Sequence, residues 1–564
     1  MHKRLLFGFG LLALTGCPYS EGCDGNADAP LDPTADGGEG SETGVDEGSV
    51  DGGTDGPPRD KSAPIDFGTP ATGGPKLSTL TCPALALPLP GGAAPLFVDA
   101  NAAGAETGTR EAPFKTIAKA FTAARQAGVV YVAAGTYKES LTIPDKDLVV
   151  FGGFAPGFAS RTDACATILE PAAPTQPVLA ASFDVLSFGI EGVTIQKGAR
   201  GIIVTGDEAV QANFTIARSV FKNNGTKTEV GGAAALDGVN GRVFQSVFVD
   251  NIASKGAAIA NGGDVTLSVE QSRFAHNLGY SDHGGGLYLS AKLSRVYRNT
   301  FVSNETGVDT RASWGGAIIV YKQRDESPAR GELSYNVFTD NLAGLGSAVF
   351  VDEGATVTMS HDLVYRNRAY LENGIIRGAS LYVDGTGHKG GGSSLVAEYL
   401  TVANNVLDEN RVNRSATAFG GNVYVESSST TSITSSIFWN NGDNGFYLEA
   451  GNELTIAHSI GKPSCTSADG KGLVPAPASS CKIGQGVMLP EAIEFADEAA
   501  DDYHEKSTAG RYVDGRWVID AVSSPAIDMG DPATKVRSEP APNGGRTNIG
   551  AFADTIEASK SPIN

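Results

Sequence analysis

Basic residues and cysteines are scarce in this 564-residue chain, and each scarcity excludes a class of function. The 43 Lys and Arg residues are outnumbered by 64 Asp and Glu residues, which gives a formal net charge of −21. Such a charge argues against nucleic acid or an anionic membrane surface as the partner. The six cysteines form neither a C-x-x-C pair nor a Cys/His cluster, so the sequence predicts no zinc site.

The first 17 residues have the pattern of an export signal. Lys3 and Arg4 precede a ten-residue apolar run that ends at Leu14 and is too short to span a bilayer. The "LTGC" that follows resembles the bacterial lipoprotein signal, which implies cleavage before Cys17 and a lipid on its thiol. By the same resemblance, Pro18 favours the outer membrane. The alternative is an ordinary cleaved signal with an incidental cysteine.

Residues 18–80 are expected to form an acidic tether. Between residues 18 and 75 there are 13 Asp or Glu residues against Arg59 and Lys61, a net charge of −11. With almost no aromatic or branched apolar content, this segment cannot bury enough surface to offset its chain entropy. An array of calcium-binding loops is the alternative, although no ordered D-x-D-x-D-G spacing occurs.

Export permits disulfides, and the cysteine count constrains their pairing. With Cys17 set aside, five cysteines remain, so at least one is unpaired. We pair Cys465 with Cys481, because they bracket a Pro-, Ser- and Gly-rich loop that has little else to order it. Cys82 and Cys165 form the next candidate bridge, and the partner of Cys23 stays open.

A short phrase typified by "SVFKNN" recurs along the middle of the chain, with an apolar residue and an Asn three positions apart. The spacing between successive copies is 26, 27, 36, 37 or 38 residues, which indicates a unit of about 26 residues with inserted loops. The apolar positions are Phe221, Phe248, Phe274, Phe301, Phe338, Val364, Val402 and Phe438. The paired amides are Asn224, Asn251, Asn277, Asn304, Asn341, Asn367, Asn405 and Asn441.

This repeat predicts an all-β solenoid. Each unit contains short alternating apolar runs bounded by Gly, Asn and Ser, which are strand and turn signals, and such units must stack to share one core. Equivalent residues then lie about 4.8 Å apart. We expect the Phe residues to stack inside and the Asn residues to form a structural ladder.

The solenoid needs a cap at its N-terminal end, and the sequence supplies a short amphipathic helix. Pro113 is expected near its first position, Phe121 on its apolar face and Gly128 at its end. The predicted boundaries are residues 1–17 for the signal, 18–80 for the tether, 81–460 for the capped solenoid, 461–490 for the disulfide loop and 491–564 for a tail that packs on the solenoid or caps it.

The segments "FVDANAAG", "VVYVAAGTYKESLTI" and "VFGGFAPGF", together with the F-x-x-N coils, resemble bacterial right-handed parallel β-helix proteins of the pectate-lyase-like superfamily. The C-terminal "SPAIDMGDP" resembles the tail of its exported members. The resemblance implies a polysaccharide ligand, and lyases of this kind use Ca²⁺ held by acidic residues. The paired Asp residues and the Gly-His-Gly of the polygalacturonases are absent, so no catalytic residue is carried over.

Coil position provides the remaining candidates. Residues near the fifth position after the ladder Asn should align on one outer side of the rod, where carboxylates could bind Ca²⁺ and a Trp ring could stack on a sugar. They are Glu229, Asp282, His283, Asp309, Arg311 and Trp314. The alternative is that these are solvated turn residues, and the inserted loops after residue 321 could also wall a groove.

Three functions stay open for a lipid-anchored protein of the outer membrane. The first is a surface module that binds polysaccharide or extracellular matrix without catalysis, and the missing catalytic signature favours it. The second is a Ca²⁺-assisted polysaccharide lyase acting on uronate glycans. The third is a structural spacer at the cell surface.

Overall fold

The computed structural model describes residues 74–85, 94–183, 187–207, 212–307, 313–322, 328–370, 379–385, 391–407, 421–442, 445–468 and 473–562. Cys17, Cys23, the signal segment and the acidic stretch up to residue 73 lie outside the described residues. In the described part, no helix is long and apolar enough to cross a membrane.

Short parallel strands dominate the described chain and form three sheets, because each strand pairs with its equivalent in the next coil. The long sheet contains 25 strands: Leu96–Val98, Gly128–Ala133, Leu141–Thr142, Leu148–Phe154, Leu179–Phe183, Ser187–Glu191, Ile202–Gly206, Asn213–Ala217, Ala234–Asp237, Asn240–Phe244, Ile259–Glu270, Leu287–Tyr297, Ile318–Tyr321, Arg330–Ser334, Val349–Asp352, Thr356–Ser360, Ala379–Asp384, Ser394–Glu398, Gly421–Glu426, Thr430–Thr434, Gly445–Leu448, Glu453–Ala457, Cys465–Ala468, Leu473–Pro475 and Cys481–Ile483. The last three continue the sheet beyond residue 460.

Two smaller sheets are found in the described chain, and the shorter of them contributes strands only between residues 252 and 407. The Phe sheet contains 11 strands: Gly135–Lys138, Thr167–Glu170, Thr194–Gln196, Val220–Lys222, Val247–Val249, Arg273–Ala275, Thr300–Val302, Val337–Thr339, Leu363–Tyr365, Thr401–Ala403 and Ile437–Trp439. The short sheet contains six strands: Ile252–Lys255, Leu278–His283, Glu305–Thr306, Leu342–Ala343, Arg368–Ala369 and Val406–Leu407. The parallel solenoid predicted from the repeat is confirmed.

The Phe residues of the repeat stack in register inside the solenoid. Phe221 pairs with Phe248, Phe248 with Phe274, and Phe274 with Phe301. Successive ring centroids lie 4.8 to 5.0 Å apart from Phe221 to Phe338, with nearly parallel planes. Because the rings are fully buried, the stack forms the centre of the hydrophobic core.

A left-handed residue stands at each end of the three-residue strands in the Phe sheet. Arg218 has φ of 42° and Asn223 has φ of 55°, and the same positions have positive φ in the following coils. The positive φ turns the chain sharply, so that the next residue points inward at a corner. One polar column therefore lines each corner.

The eight repeat Asn residues occupy one corner as an amide column. Asn277 is typical: its Nδ2 donates to the Phe248 carbonyl at 3.0 Å and to Asn304 Oδ1 at 2.9 Å. Its Oδ1 accepts from both the backbone N and Nδ2 of Asn251, at 3.2 and 3.0 Å. Each amide thus satisfies buried groups in both neighbouring coils.

A second polar column, which the sequence analysis missed, occupies the other corner. It contains Ser219, Ser246, Ser272, Asn299, Asn336 and Asp362, each of which, from the second onward, accepts a bond from the backbone N of its predecessor. The sequence signal for this column is a Ser, Asn or Asp two residues before seven of the eight repeat apolar residues, with Leu400 before Val402 as the exception. Burial raises the pKa of Asp362 to about 7.

The capping helix spans Ile117–Ala123 and is shorter than predicted. Thr116 caps it, because its hydroxyl accepts a bond from Lys119 N, and the Glu139 carboxylate accepts from the first two helical amides. Pro113 therefore precedes the helix. Gly128 begins a strand rather than ending the helix. Phe121 packs edge-on against Phe188 at 6.4 Å and closes this end of the core.

Two non-repetitive segments cover the outer face of the Phe sheet. The strap, residues 74–85, places Leu80 against the outward Val220 and Val247. The tail beyond residue 490 places Tyr503 against Tyr365 at 4.8 Å, and it includes a 3₁₀ turn, Glu498–Ala500. Its two hairpins pair Phe495–Asp497 with Asp502–Glu505 and Arg511–Val513 with Arg516–Val518. The tail is therefore a lateral cover.

Both predicted disulfides are present. Cys82 of the strap is bonded to Cys165, with the two Cα atoms 5.7 Å apart. Cys465 is bonded to Cys481, with the Cα atoms 6.0 Å apart. The first bridge fixes the strap to the early coils, and the second closes the loop between the last strands of the long sheet.

Asn277→Ala should lower the free energy of unfolding by about 1–3 kcal/mol, because it leaves buried backbone and amide groups without partners. Thermal and chemical unfolding followed by circular dichroism measure the effect. Asn101→Ala, in an exposed turn, is the control and should change little. Equal stability of the two variants would contradict a structural role for the column.

Asp362→Asn should stabilise the protein above pH 7 and leave it nearly unchanged below about pH 4. The folded pKa of about 7 exceeds the ordinary value, so the folded state binds the extra proton and wild-type stability falls as pH rises from about 4 to 7. Asn keeps the bonds to Asn336 and cannot ionise. At pH 8 we expect a gain of about 1–3 kcal/mol in calorimetry.

The control for that substitution is Asp250→Asn, at an exposed corner position. It should leave the pH dependence of the unfolding midpoint as it is in the wild type. If Asp362→Asn shows the wild-type pH dependence, the buried carboxyl is not the group that destabilises the fold at neutral pH.

Candidate functional site

An aromatic column lies on the outward side of the long sheet. Residues 287 to 289 alternate, so that Leu287 and Leu289 enter the core and Tyr288 points outward. The pairing register aligns the following outward residues above it: Ile319, Phe350, Tyr382, Tyr424 and Tyr447. Ring centroids are 5.1 Å apart for Phe350 and Tyr382, and 4.9 Å for Tyr382 and Tyr424.

A column of carboxylates lies beside the rings, two residues further along each strand. Its members are Asp352, Asp384, Glu426 and Glu449. Asp384 pairs in register with Glu426. The Tyr382 hydroxyl donates to Glu426 Oε1 at 2.8 Å, and the Tyr424 hydroxyl donates to Glu449 Oε1 at 3.0 Å. We call the rings and carboxylates together the aromatic-acidic face.

Asp352 has a perturbed ionisation. Burial raises its pKa well above the ordinary value, and the negative charges of Asp384, Glu353 and Glu426 add to the shift. A bond from the Glu353 backbone N at 2.6 Å opposes it. A buried carboxyl with a raised pKa beside ionisable neighbours is the arrangement that functional sites use to move protons.

The sequence-predicted His283 and Trp314 meet at one end of this face. His283 lies in register with Trp314 on the next coil, and their rings are 4.6 Å apart, edge to face. The same imidazole contacts Tyr321 at 5.4 Å and Tyr288 at 6.0 Å. His283 is buried, whereas Trp314 and Tyr321 are half-buried. Tyr321 stands in register below Asp352.

Of the other predicted residues, Glu229 is described, and it lies two coils away from this cluster in an ion pair with Arg200. The side chain of Asp282 and the whole of Asp309 and Arg311 lie outside the described residues. The Ca²⁺ site expected from Glu229, Asp282 and Asp309 therefore stays a prediction.

Within the described residues, one group of three His, Cys, Asp or Glu side chains lies within ligand distance of one another, and it consists of Cys82, Asp163 and Cys165. Two of these form a disulfide, so the group does not bind a metal. The carboxylates of the aromatic-acidic face act as hydrogen-bond acceptors, and the pKa of one of them, Asp352, is raised.

The sequence contained a signal for the face that the analysis missed. The strands "VFVD", "LYVD", "VYVE" and "FYLE" each place an aromatic residue two positions before an acidic one. They begin at Val349, Leu381, Val423 and Phe446 and recur in consecutive coils. Because alternate residues of a strand share a face, ring and carboxylate had to lie on the same outer side.

Family comparisons agree with this geometry. The family described as "Right handed beta helix region" matches residues 200–389. The family "Protein of unknown function (DUF1565)" matches residues 100–144, and "Disaggregatase related" matches residues 488–530. This chain is a right-handed parallel β-helix protein.

The β-helix match spans His283, Trp314 and the first two carboxylates of the aromatic-acidic face. The DUF1565 match covers the capping helix, and the third match covers both hairpins of the tail. No curated protein and no solved structure matches the chain.

Proposed function

We propose that this β-helix protein is held at the outer membrane by a lipid on Cys17 and binds a polysaccharide or matrix glycan without cleaving it. The supporting observation is the cluster of His283, Trp314 and Tyr321 at the accessible end of the aromatic-acidic face. Half-buried rings present flat apolar surfaces, on which the C–H face of a sugar packs well.

The neighbouring carboxylates supply the polar half of such a site. Carboxylate oxygens accept hydrogen bonds from sugar hydroxyls, and the tyrosine hydroxyls already orient two of the four acids. Most of the rings and carboxylates sit on strands of the long sheet, and His283 and Trp314 pair in register with neighbouring coils, so the site is held rigid before the ligand arrives. A neutral, hydroxyl-rich glycan is favoured over an acidic one, because the carboxylates of the face would repel the negative charges of an acidic glycan.

Binding without cleavage is favoured by the sequence, which lacks the polygalacturonase signature. One observation favours catalysis as a second candidate: the raised pKa of Asp352 suits a general acid that donates a proton to a leaving glycosidic oxygen. A uronate lyase or another glycan-cleaving enzyme would then use the same face.

Trp314→Ala and Tyr321→Ala should each weaken glycan binding about tenfold, because each removes a stacking surface worth about 1–1.5 kcal/mol. Calorimetric titration of the full chain with neutral and uronate glycans measures the affinity. Trp517→Ala, in a tail hairpin away from the face, is the matched control.

Unchanged affinity in both face variants would place binding elsewhere, and the absence of binding to every glycan would favour a surface spacer. Ultraviolet absorbance of an unsaturated product would instead identify a lyase. Loss of any cleavage in Asp352→Asn, with folding intact, would assign the reaction to this face.

Cys17→Ser should release the protein from the membrane fraction. In the wild type we expect a mature N-terminus at Cys17 that carries a diacylglycerol mass, because the thiol is the predicted attachment atom. Mass spectrometry of the N-terminal peptide and detergent partitioning check this. An unmodified mass at the wild-type N-terminus would show simple secretion.

A further inference from the structure

The tail covers the outer side of the Phe sheet without joining that sheet. Val337, Leu363, Ala403 and Ile437 lie on four consecutive strands of the sheet and are buried against apolar tail residues such as Phe552. Among the described residues, the strands of the tail pair with one another and not with a strand of the solenoid. The tail can therefore separate from the solenoid without breaking a sheet.

Two backbone amides of the tail bond directly to the solenoid. Gly550 N donates to the Ser435 carbonyl at 2.9 Å, and Ala551 N donates to Thr401 Oγ1 at 2.9 Å. A Cβ atom placed on Gly550 would lie 2.8 Å from Thr401 Oγ1 and 3.0 Å from Glu505 Oε1. A carboxyl group of the tail is therefore enclosed at the contact between the tail and the Phe sheet.

Glu505 is fully buried at this contact. Neither of its carboxyl oxygens has a hydrogen-bond partner in another of the described residues. The titratable groups that face it are His504 and Asp502 on its own strand and Glu539 from a later part of the tail. The Phe sheet places the uncharged Thr401 beside it. An ionised carboxylate in this position is costly, because it has lost water and gained no bond in return.

The positive charge of His504 is balanced by other carboxylates. Its Nδ1 lies 2.6 Å from Asp502 Oδ1, and its Nε2 lies 3.8 Å from Glu557 Oε2. Burial opposes a charge on this imidazole, but its interactions with Asp502 and Glu557 raise its pKa. Lys76 of the strap pairs with Glu557 at 3.1 Å. The neighbouring cations therefore have carboxylate partners of their own, and Glu505 is left without a dedicated counter-charge.

We propose that the tail is a pH-sensitive cover of the Phe sheet, which is docked while Glu505 is protonated and opens when this carboxyl ionises. Opening moves the carboxylate into water and removes the cost of burying its charge. The coil-to-coil bonds, such as that between Asn277 and Asn304, join solenoid residues to each other and stay intact. Opening therefore exposes the apolar outer side of four strands on a solenoid that remains folded.

The sign of the pH effect follows from the ionisation of Glu505. Burial raises its pKa to about 8, and the negative charge of Glu539 adds to the shift. Because this value exceeds the ordinary value of 4.5, the docked state binds the extra proton, and docking weakens as the pH rises from about 4.5 to 8. Burial also raises the pKa of Glu539 to about 7. The interval between pH 7 and pH 8 therefore reports Glu505 best.

Hydrogen exchange of the full chain, read by mass spectrometry and corrected for the intrinsic exchange rate at each pH, tests the proposal. The amides of Gly550 and Ala551 report docking directly, because both bond to the solenoid. Their protection should fall about fivefold from pH 7 to pH 8 and level off above about pH 9. Asn251 N, which bonds to the next coil, should keep its protection. Constant protection of the tail amides, or an equal fall at Asn251, overturns the proposal.

Two variants assign the effect to the buried carboxyl. Glu505→Gln and Glu505→Leu remove the charge at similar volume, so each should keep the tail protected at pH 7 and lose most of the fall toward pH 8. Glu491→Gln, at an exposed position of the tail, is the matched control and should keep the wild-type pH dependence. Wild-type pH dependence in both Glu505 variants overturns the proposal. A tail that is unprotected at pH 7 in both also overturns it, because the carboxyl would then hold the tail by a contact.

The outcome is separable from the other ionising carboxyl of the fold and from the proposed glycan site. Burial also raises the pKa of Asp362, in the solenoid, to about 7. Asp362→Asn should nevertheless keep the fall in tail protection, and if it abolishes that fall, Glu505 does not control the cover and the proposal fails. Trp314→Ala, on the aromatic-acidic face, should leave tail exchange unchanged, so the glycan proposal can fail while the cover proposal stands.

Discussion

The amide column sets the constraint on which the rest of the solenoid depends. Each inner Asn bonds to the coil on either side, as Asn277 does with Asn251 and Asn304. A shift of one residue between coils would bury every one of these amides without a partner, at a cost of about 1–3 kcal/mol for each group. The column therefore fixes the register between coils. That register also aligns the Phe stack, whose residues stand three positions before each Asn, and the columns of residues on the outer faces.

The repeat could be predicted from the sequence because each coil makes the same contacts with the next one. The same residue type stands at the same coil position, so Phe221 and Asn224 identify their own partners about 26 residues ahead. The covering of the Phe sheet could not be predicted in this way. The strap and tail have no period, and contacts such as Ser78 with Thr300 join residues 222 positions apart.

The candidate site was predicted only in part, for a related reason. His283 and Trp314 lie side by side, because both occupy one register position on neighbouring coils. Glu229 shares that side of the rod, yet its partner is Arg200 on the preceding coil, a pairing that depends on side-chain direction rather than on spacing. The carboxylates from Asp352 onward were not predicted. They are placed by the two-residue period of the strands, whereas the predicted residues were chosen by their distance from the ladder Asn.

Because equivalent residues stack, a charge at one coil position is repeated in successive coils. Two outer surfaces of the solenoid reduce the resulting repulsion in different ways. On the aromatic-acidic face, acidic residues stand in successive coils, where tyrosine hydroxyls donate to two of them and the pKa of Asp352 is raised. At the corner of the Phe sheet, two neutral glutamines, Gln245 and Gln271, separate Arg218 from Arg298, and Arg218 is paired with Glu191. Like charges at one coil position are therefore kept apart by neutral residues at this corner, whereas the aromatic-acidic face keeps its acids in adjacent coils and supplies hydroxyl donors to them.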